Sequence, residues 1–297
     1  MNLSLESIRL RSSVRSYAAD ALSPDEEKAM RSAFDEALPG PFGGRPRFSL
    51  VSQETAGLGA RIGTYGTIKG APAFIVGAIQ RGPCMNEDYG YCLEGIVLRA
   101  AELGLGTCWL GGSLHRGRLA SLIGLADDEF IPAISPIGHA SDRRSLQDLL
   151  VRRVSSAAAR KPESELFFEA TPAGVSPAAS GPEAFGKPLS REWLEGPWGE
   201  VLESLRAGPS ASNKQPWRVT VSGGRENPVF HLYLHEDKLY NSVMGEVKMQ
   251  NVDMGIAMRH FEAAARAQGL PGSWRRLEKS PLAVLPPEHY IASWAVQ

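Results

Sequence analysis

Two long apolar stretches, 88–103 and 247–267, repeat each other, and that repetition limits the folds open to this chain more than any other feature. In the first, Tyr89, Leu93, Ile96, Val97, Ala100 and Leu103 recur at helical spacing, and Gly104 and Gly106 close the run. The second carries Val252, Ile256, Phe261 and Ala264. A shift of 165 positions sets Asp88 on Asp253, Gly90 on Gly255, Ala100 on Ala265, Gly104 on Gly269, Leu105 on Leu270 and Trp109 on Trp274. Upstream, a shift of 170 sets Ala37 on Ala207, Pro39 on Pro209, Pro46 on Pro216 and Val51 on Val221, loop insertions absorbing the difference. The chain therefore reads as two related halves joined covalently, in the manner of a homodimer with a pseudo-two-fold axis.

Around the repeated helices the remaining elements follow from local signals. Residues 4–17 read as a helix capped by Ser4, with Leu5 and Ile8 on one side. A second helix starts where Ser23 caps, Pro24 takes the first helical position and acids fill the first turn; it ends near Leu38, Pro39 and Gly40. Strands are expected at 47–51, at 73–79 (apolar throughout, hence central) and at 130–138, with a turn at 63–66. In the second half, a helix at 192–205, strands at 218–221 and 230–234, and extended stretches at 282–284 and 290–292 complete the plan. Residues 155–187 are rich in Ala, Ser, Pro and Gly and read as a connector, with Leu166, Phe167 and Phe168 as its docking point. This divides the chain into a first half, 1–154, the connector, and a second half, 188–297.

Bulk properties exclude several functions. With 43% apolar residues in 297, the chain buries one large core or two ordinary ones. Its 32 basic and 33 acidic side chains leave a formal charge of −1, so nothing draws it to nucleic acid or an anionic membrane, and a small-molecule partner is expected. No apolar run approaches the ~20 residues a bilayer requires, and the first residues carry no basic-then-apolar leader, which makes the cytoplasm the simplest location. Cys84, Cys92 and Cys108 form no close pair and read as ordinary buried thiols.

The halves differ most where a site would lie. In segment 209–217 two prolines bracket Ser210, Ser212, Asn213 and Gln215, so a loop rich in donors and acceptors is seated on the following strand, with Trp217 as its anchor. The first half has Gly40, Phe42, Gly43, Arg45 and Arg47 at the matching positions and has lost that polar set. Conversely, Arg11, Ser12, Ser13 and Arg15 crowd one short segment that has no arginine-bearing counterpart near 178–182. Each half keeps what the other lacks, as expected if the surviving parts build one complete pocket per chain. At 107–112 the adjacent Gly111 and Gly112 let backbone amides approach something flat or charged.

These motifs resemble the FMN-dependent nitroreductase family. Its Arg-x-Ser-x-Arg/Lys signature is matched by Arg11, Ser13 and Arg15, its Pro-Ser-x-x-Asn-x-Gln-Pro-Trp loop by 209–217, and its Gly-Leu-Gly helix end and glycine turn by 104–112. The resemblance implies an α+β, nitroreductase-like fold of two related halves, mixed sheets flanked by helices, forming an intramolecular pseudo-dimer. Arg11 and Arg15 would fork the FMN phosphate, with Ser12 and Ser13 beside them; Arg160 matches the family's late basic residue, ahead of Arg152 or Arg153. Pro209, Ser210, Ser212 and Asn213 would reach the ribityl chain and ring, with Gln215 supporting the loop. Leu110, Gly111 and Gly112 would lie by the redox-active edge, offering a backbone N–H. Tyr65 and Trp109 either cover the flavin or fill core. The implied activity is hydride transfer from NAD(P)H through FMN to an electron-poor acceptor such as a nitroaromatic or quinone, in a monomer that is its own pseudo-dimer. The rival reading is a non-catalytic flavin binder or flavin-free interaction protein on the same scaffold.

Overall fold

The computed structural model describes residues 3–53, 67–112, 114–141, 159–170, 184–238 and 247–296. The turn expected at 63–66 with Tyr65, and Arg143, Arg144, Arg152 and Arg153, lie outside these residues. Two compact units make up the chain, 1–158 and 159–297. The stretch expected as a connector is divided by that boundary, and its described residues from 159 onward are built into the second unit.

The first unit opens with α1 (Leu5–Leu10), capped by Ser4 as expected but ending well short of Tyr17. Beyond Leu10 the backbone finds better partners than its own helix. Val14 N donates to Thr107 O (2.8 Å), Tyr17 N to Lys69 O and Lys69 N to Arg15 O (both 2.9 Å). Helix α2 (Pro24–Asp35) begins in a capping box, the Ser23 side chain accepting from Glu26 N while the Glu26 carboxylate accepts from Ser23 N (2.7 Å). The strands are β1 (Arg47–Ser52), β2 (Ala73–Gln80), β3 (Gly106–Thr107), β4 (Glu129–Phe130) and β5 (Ile134–Gly138), with α3 (Met85–Glu102) and α4 (Arg116–Ile123) between them. The single strand expected at 130–138 is thus two, separated where Ile131, Pro132 and Ala133 leave the ladder. Sheet order is β1-β2-β5-β3, all antiparallel, with β4 on β2; parallel pairing enters through the bridges of Ser13 to Thr107 and Ser16 to Lys69. Leu93, Ile96 and Val97 of α3 pack with Ile75, Ile79 and Ile137 of the sheet, all essentially without solvent exposure.

The second unit contains β6 (Phe167–Glu169), β7 (Lys187–Pro188), α5 (Arg191–Leu194), α6 (Pro197–Arg206), β8 (Trp217–Ser222), β9 (Val229–His235), α7 (Met249–Ala267), β10 (Ser273–Arg275) and β11 (Glu288–Ala295). The helix expected at 192–205 is interrupted because Pro197 has no N–H to continue α5 and instead starts α6. Residues 282–284 are not a strand; Val284 N turns back to Leu282 O (3.0 Å). The sheet runs β10-β11-β9-β8-β6-β7 and is mixed, β6 lying parallel to β8. Its core is aromatic, with Phe261 of α7 5.0 to 5.4 Å from Phe230, Trp274 and Trp294.

The duplication is visible element by element. The path β1-β2-β5-β3 reappears as β8-β9-β11-β10 with the same antiparallel pairings. The ends of α3 and α7 are the same motif: Gly104 (φ +74) and Gly269 (φ +68) turn left-handed, Leu105 N reaches Ala100 O (2.9 Å) and Leu270 N reaches Ala265 O (2.8 Å). No helix among the described residues is long and apolar enough to cross a membrane.

Candidate functional site

The segment 209–217 is a strained loop. Ser212 (φ +49), Asn213 (φ +54) and Gln215 (φ +48) all occupy the left-handed region, which disfavours residues with a Cβ by roughly 1–2 kcal/mol each. Three such residues within four positions persist only where surrounding contacts enforce them. Those contacts are present. Ser210 Oγ accepts from Gln215 N (2.9 Å), while Gln215, only 3% exposed, accepts from Lys161 N at Oε1 (2.8 Å). Asn213 Nδ2 donates to Ala159 O (2.9 Å), and its Oδ1 accepts from Arg160 Nη1 (3.1 Å), whose Nη2 reaches Ala207 O (3.0 Å). Trp217 anchors the far end as expected, with no exposed surface. The structure therefore gathers Arg160, Ser210, Asn213 and Gln215 into one bonded cluster, with Ser212 exposed at its tip.

Beneath this loop stands Asp253, in α7 and 1% exposed. Its Oδ1 accepts from Ala211 N (2.9 Å), and its buried Oδ2 meets no hydrogen-bond partner among the described residues. Burial drives its carboxyl up to about 8, against the pull of the Ala211 amide. Asp88 does the equivalent task in the first unit, but with both oxygens: Oδ1 accepts from Phe42 N (2.9 Å) and Oδ2 from Gly44 N (2.7 Å). Burial raises its carboxyl too, and there two amides oppose the rise. The loop above Asp88 fits because Gly40 and Gly44 carry no Cβ; one added at either would overlap the Asp88 side chain. Arg47, which matches Trp217 in the repeat, is taken up by Glu129 (2.6 Å) and by the carbonyls of Ile123 and Gly124 (3.0 Å each).

In the first unit, the segment from Arg11 to Tyr17 is held by backbone bridges at Ser13, Ser16 and Tyr17. Val14 turns inward against Gly106 and the core. Arg11, Ser13 and Arg15 are half-buried, while Ser12 is exposed. Two guanidinium forks and a hydroxyl within five positions suit the oxygens of a phosphate. Ser13 bridges to Thr107, which places this segment alongside the strand leading to Leu110, Gly111 and Gly112. The Leu110 amide donates to Ile134 O (2.9 Å). Arg116 holds the turn from below, donating to Gly111 O (2.7 Å), Pro132 O (3.2 Å) and Ile131 O (3.0 Å). Trp109 packs on the core and donates from Nε1 to the fully buried Glu94 (2.6 Å).

Asp253 and Arg116 were missed as site residues from sequence. The available signal for Asp253 is its coincidence with Asp88 near the start of the repeated helix, where it is the fifth residue of α7. Arg116 had none, since an arginine at the start of an ordinary helix reads as surface. Cys92 and Cys108 are buried and Cys84 half-buried, and none of the three is in a disulfide; no group of metal-ligating side chains occurs among the described residues.

Comparison with known proteins follows the same lines. The sequence profile described as "Putative TM nitroreductase" matches residues 4–180 and 190–265. A "putative nitroreductase" of Thermotoga maritima shares the fold along 99% of this chain and 93% of its own, at 17% identity and a TM-score of 0.57. An FMN-dependent nitroreductase of Clostridium difficile covers 47% of this chain and 88% of its own (21% identity, TM-score 0.41). A putative nitroreductase of Desulfovibrio desulfuricans, solved in complex with FMN, covers 49% of this chain and 93% of its own (25% identity, TM-score 0.38). No curated protein matches the chain at a significant level.

Proposed function

Because the chain belongs to the nitroreductase family whose profile spans both its halves, we propose that it is an FMN-dependent oxidoreductase acting on a small, electron-poor acceptor such as a nitroaromatic or quinone, with NAD(P)H as donor. The observation that carries the reading is the loop 209–217, where three left-handed non-glycine residues are held by Arg160, Gln215 and Asp253. Strain enforced this tightly in a polar, partly exposed loop is characteristic of a binding element. When bound, FMN would accept a hydride from the reduced nicotinamide and deliver it to the acceptor.

The chain's own residues would bind, orient and shield. Arg11 and Arg15, with Ser12 and Ser13, would hold the phosphate, since two planar forks neutralise its charge and fix its direction. Pro209, Ser210, Ser212 and Asn213 would line the ribityl chain and ring, with Gln215 as the brace and Arg160 fixing the Asn213 amide. Leu110 would pack near the reacting edge, where the amides of Gly111 and Gly112 would stabilise developing negative charge. On this reading one FMN would draw on both residue sets, and the chain would work as a fused pseudo-dimer and cytoplasmic monomer.

An absorption spectrum of the isolated protein, followed by anaerobic addition of NADH or NADPH, tests this reading. A flavin band bleached by either nucleotide is the expected result. A colourless protein that takes up no added FMN would overturn it, and a flavin band that neither nucleotide bleaches would favour a flavin binder without turnover.

A further inference from the structure

Asp253 makes a contact that the proposed chemistry does not use. It is buried in α7, tied by one oxygen to Ala211 N (2.9 Å), with the other oxygen enclosed and unmatched among the described residues, next to the residues forced left-handed. We propose that Asp253 is the positioning residue of the recognition loop, holding it in its binding geometry while the carboxyl is neutral and releasing it when the carboxyl ionises. The proposal rests on the flavin reading for its consequence, and on the second unit alone for its geometry.

The physical reason is that a carboxylate enclosed with one hydrogen bond leaves a full charge poorly compensated, which favours either the neutral acid or a rearranged loop. Asp88 shows the alternative, where both oxygens receive backbone amides and the loop is closed over them. Above Asp253, Lys214, the residue that matches Gly44, sends its amide to Ala211 O instead (3.1 Å), so the second oxygen is not served. Among the described residues, the ionisable groups of the loop and of α6 and α7 make other contacts. Lys214 Nζ is paired with Asp237 (3.0 Å), Arg160 with Asn213 and Ala207 O, Arg206 of α6 with Glu203 (2.6 Å), and His260, further along α7, faces Ser204 O (3.0 Å). Burial is the dominant influence on Asp253, and the Ala211 amide opposes it.

Asp253→Asn keeps the shape and supplies a neutral group at every pH, whereas Asp253→Ala removes the tether. The FMN dissociation constant of the wild type should rise up to about tenfold per pH unit above the ionisation midpoint, as expected for one linked proton. Asp253→Asn should bind within about twofold of wild type at pH 7 and lose nothing between pH 7 and 9.5. Asp253→Ala should bind at least about tenfold more weakly throughout. Amide hydrogen exchange in flavin-free protein reads the same anchor without the cofactor: protection of residues 211–215 in the wild type, relative to Asp253→Asn at the same pH, should fall over that range. Equal pH profiles for wild type and Asp253→Asn, or an Asn variant as defective as the Ala variant, would overturn the proposal. Loss of protection in a protein that never binds FMN would keep the anchor and remove the flavin reading; flavin binding with pH-independent protection would do the reverse.

Discussion

The loops before β1 and β8 are built over the same aspartate of the same repeated helix, and they differ in how that aspartate is satisfied. Above Asp88, glycines allow the chain to close down until both carboxylate oxygens hold amides, and Arg47 is committed to Glu129 and two carbonyls. Above Asp253, side chains prevent that closure; one amide is captured, and Ser212, Asn213 and Gln215 are held left-handed with polar groups toward solvent or one another. The first loop has become a structural turn. In the second, one carboxylate oxygen of Asp253 stays unmatched among the described residues, and Ser212 stands exposed at the loop's tip. The two halves thus differ in how completely the loop's bonding closes on the aspartate, as well as in which motif residues they carry.

The most damaging change expected for binding is Arg11→Ala with Arg15→Ala. Charge-assisted hydrogen bonds contribute ~1.5–3 kcal/mol each, so the FMN dissociation constant should rise at least ~100-fold in a fluorescence titration. Arg47→Ala, from the closed loop, should leave it within about twofold, and a comparable loss there would erase the contrast. Next in size, Asp88→Ala strands two amides and should cost ~2–4 kcal/mol in urea unfolding with little effect on bound FMN once folded. Asp253→Ala should show the opposite balance, with a smaller stability loss and a larger binding loss.

Stability against pH sharpens the same pair. Asp253, at about 8 in the fold, lies above the ordinary carboxylate value, so its contribution is fully present below about pH 4 and is lost as pH rises through about 8. Wild type should therefore lose ground to Asp253→Asn by up to ~1.4 kcal/mol per pH unit between pH 5 and 8. Asp88→Asn should follow the same direction over a narrower range, because two amides counter its burial. Smallest of all are the backbone changes. Gly43 has φ +94 with open space around its Cβ position, so Gly43→Ala should cost ~1 kcal/mol from conformation alone, whereas Ser212→Gly should gain ~0.5 kcal/mol by relieving left-handed strain.

Much of this was legible in the sequence because its signals are local or repeated. The capping box at Ser23, the apolar run of β2 and the glycine ends of α3 and α7 depend on short-range physics that spacing reports directly. The 165-residue register pairs Asp253 with Asp88, but nothing in it announces the contact with Ala211. What stayed hidden depends on long-range partners. The segment 11–17 continues a helical pattern, yet Thr107 and Lys69 draw it into extended pairing. The connector's Phe167 and Phe168 became a strand because β8 offered an edge. Arg160 was expected at a phosphate, and its described contacts are with Asn213 and Ala207, which no pattern around 160 announces.

Titration of flavin-free protein with FMN, followed by quenching of flavin fluorescence, tests the account most directly, because it counts sites in a chain whose two halves share one fold. The account predicts a break at one equivalent per chain that disappears when Arg11 and Arg15 are both replaced by alanine. A break at two equivalents, or none in the wild type, would contradict it.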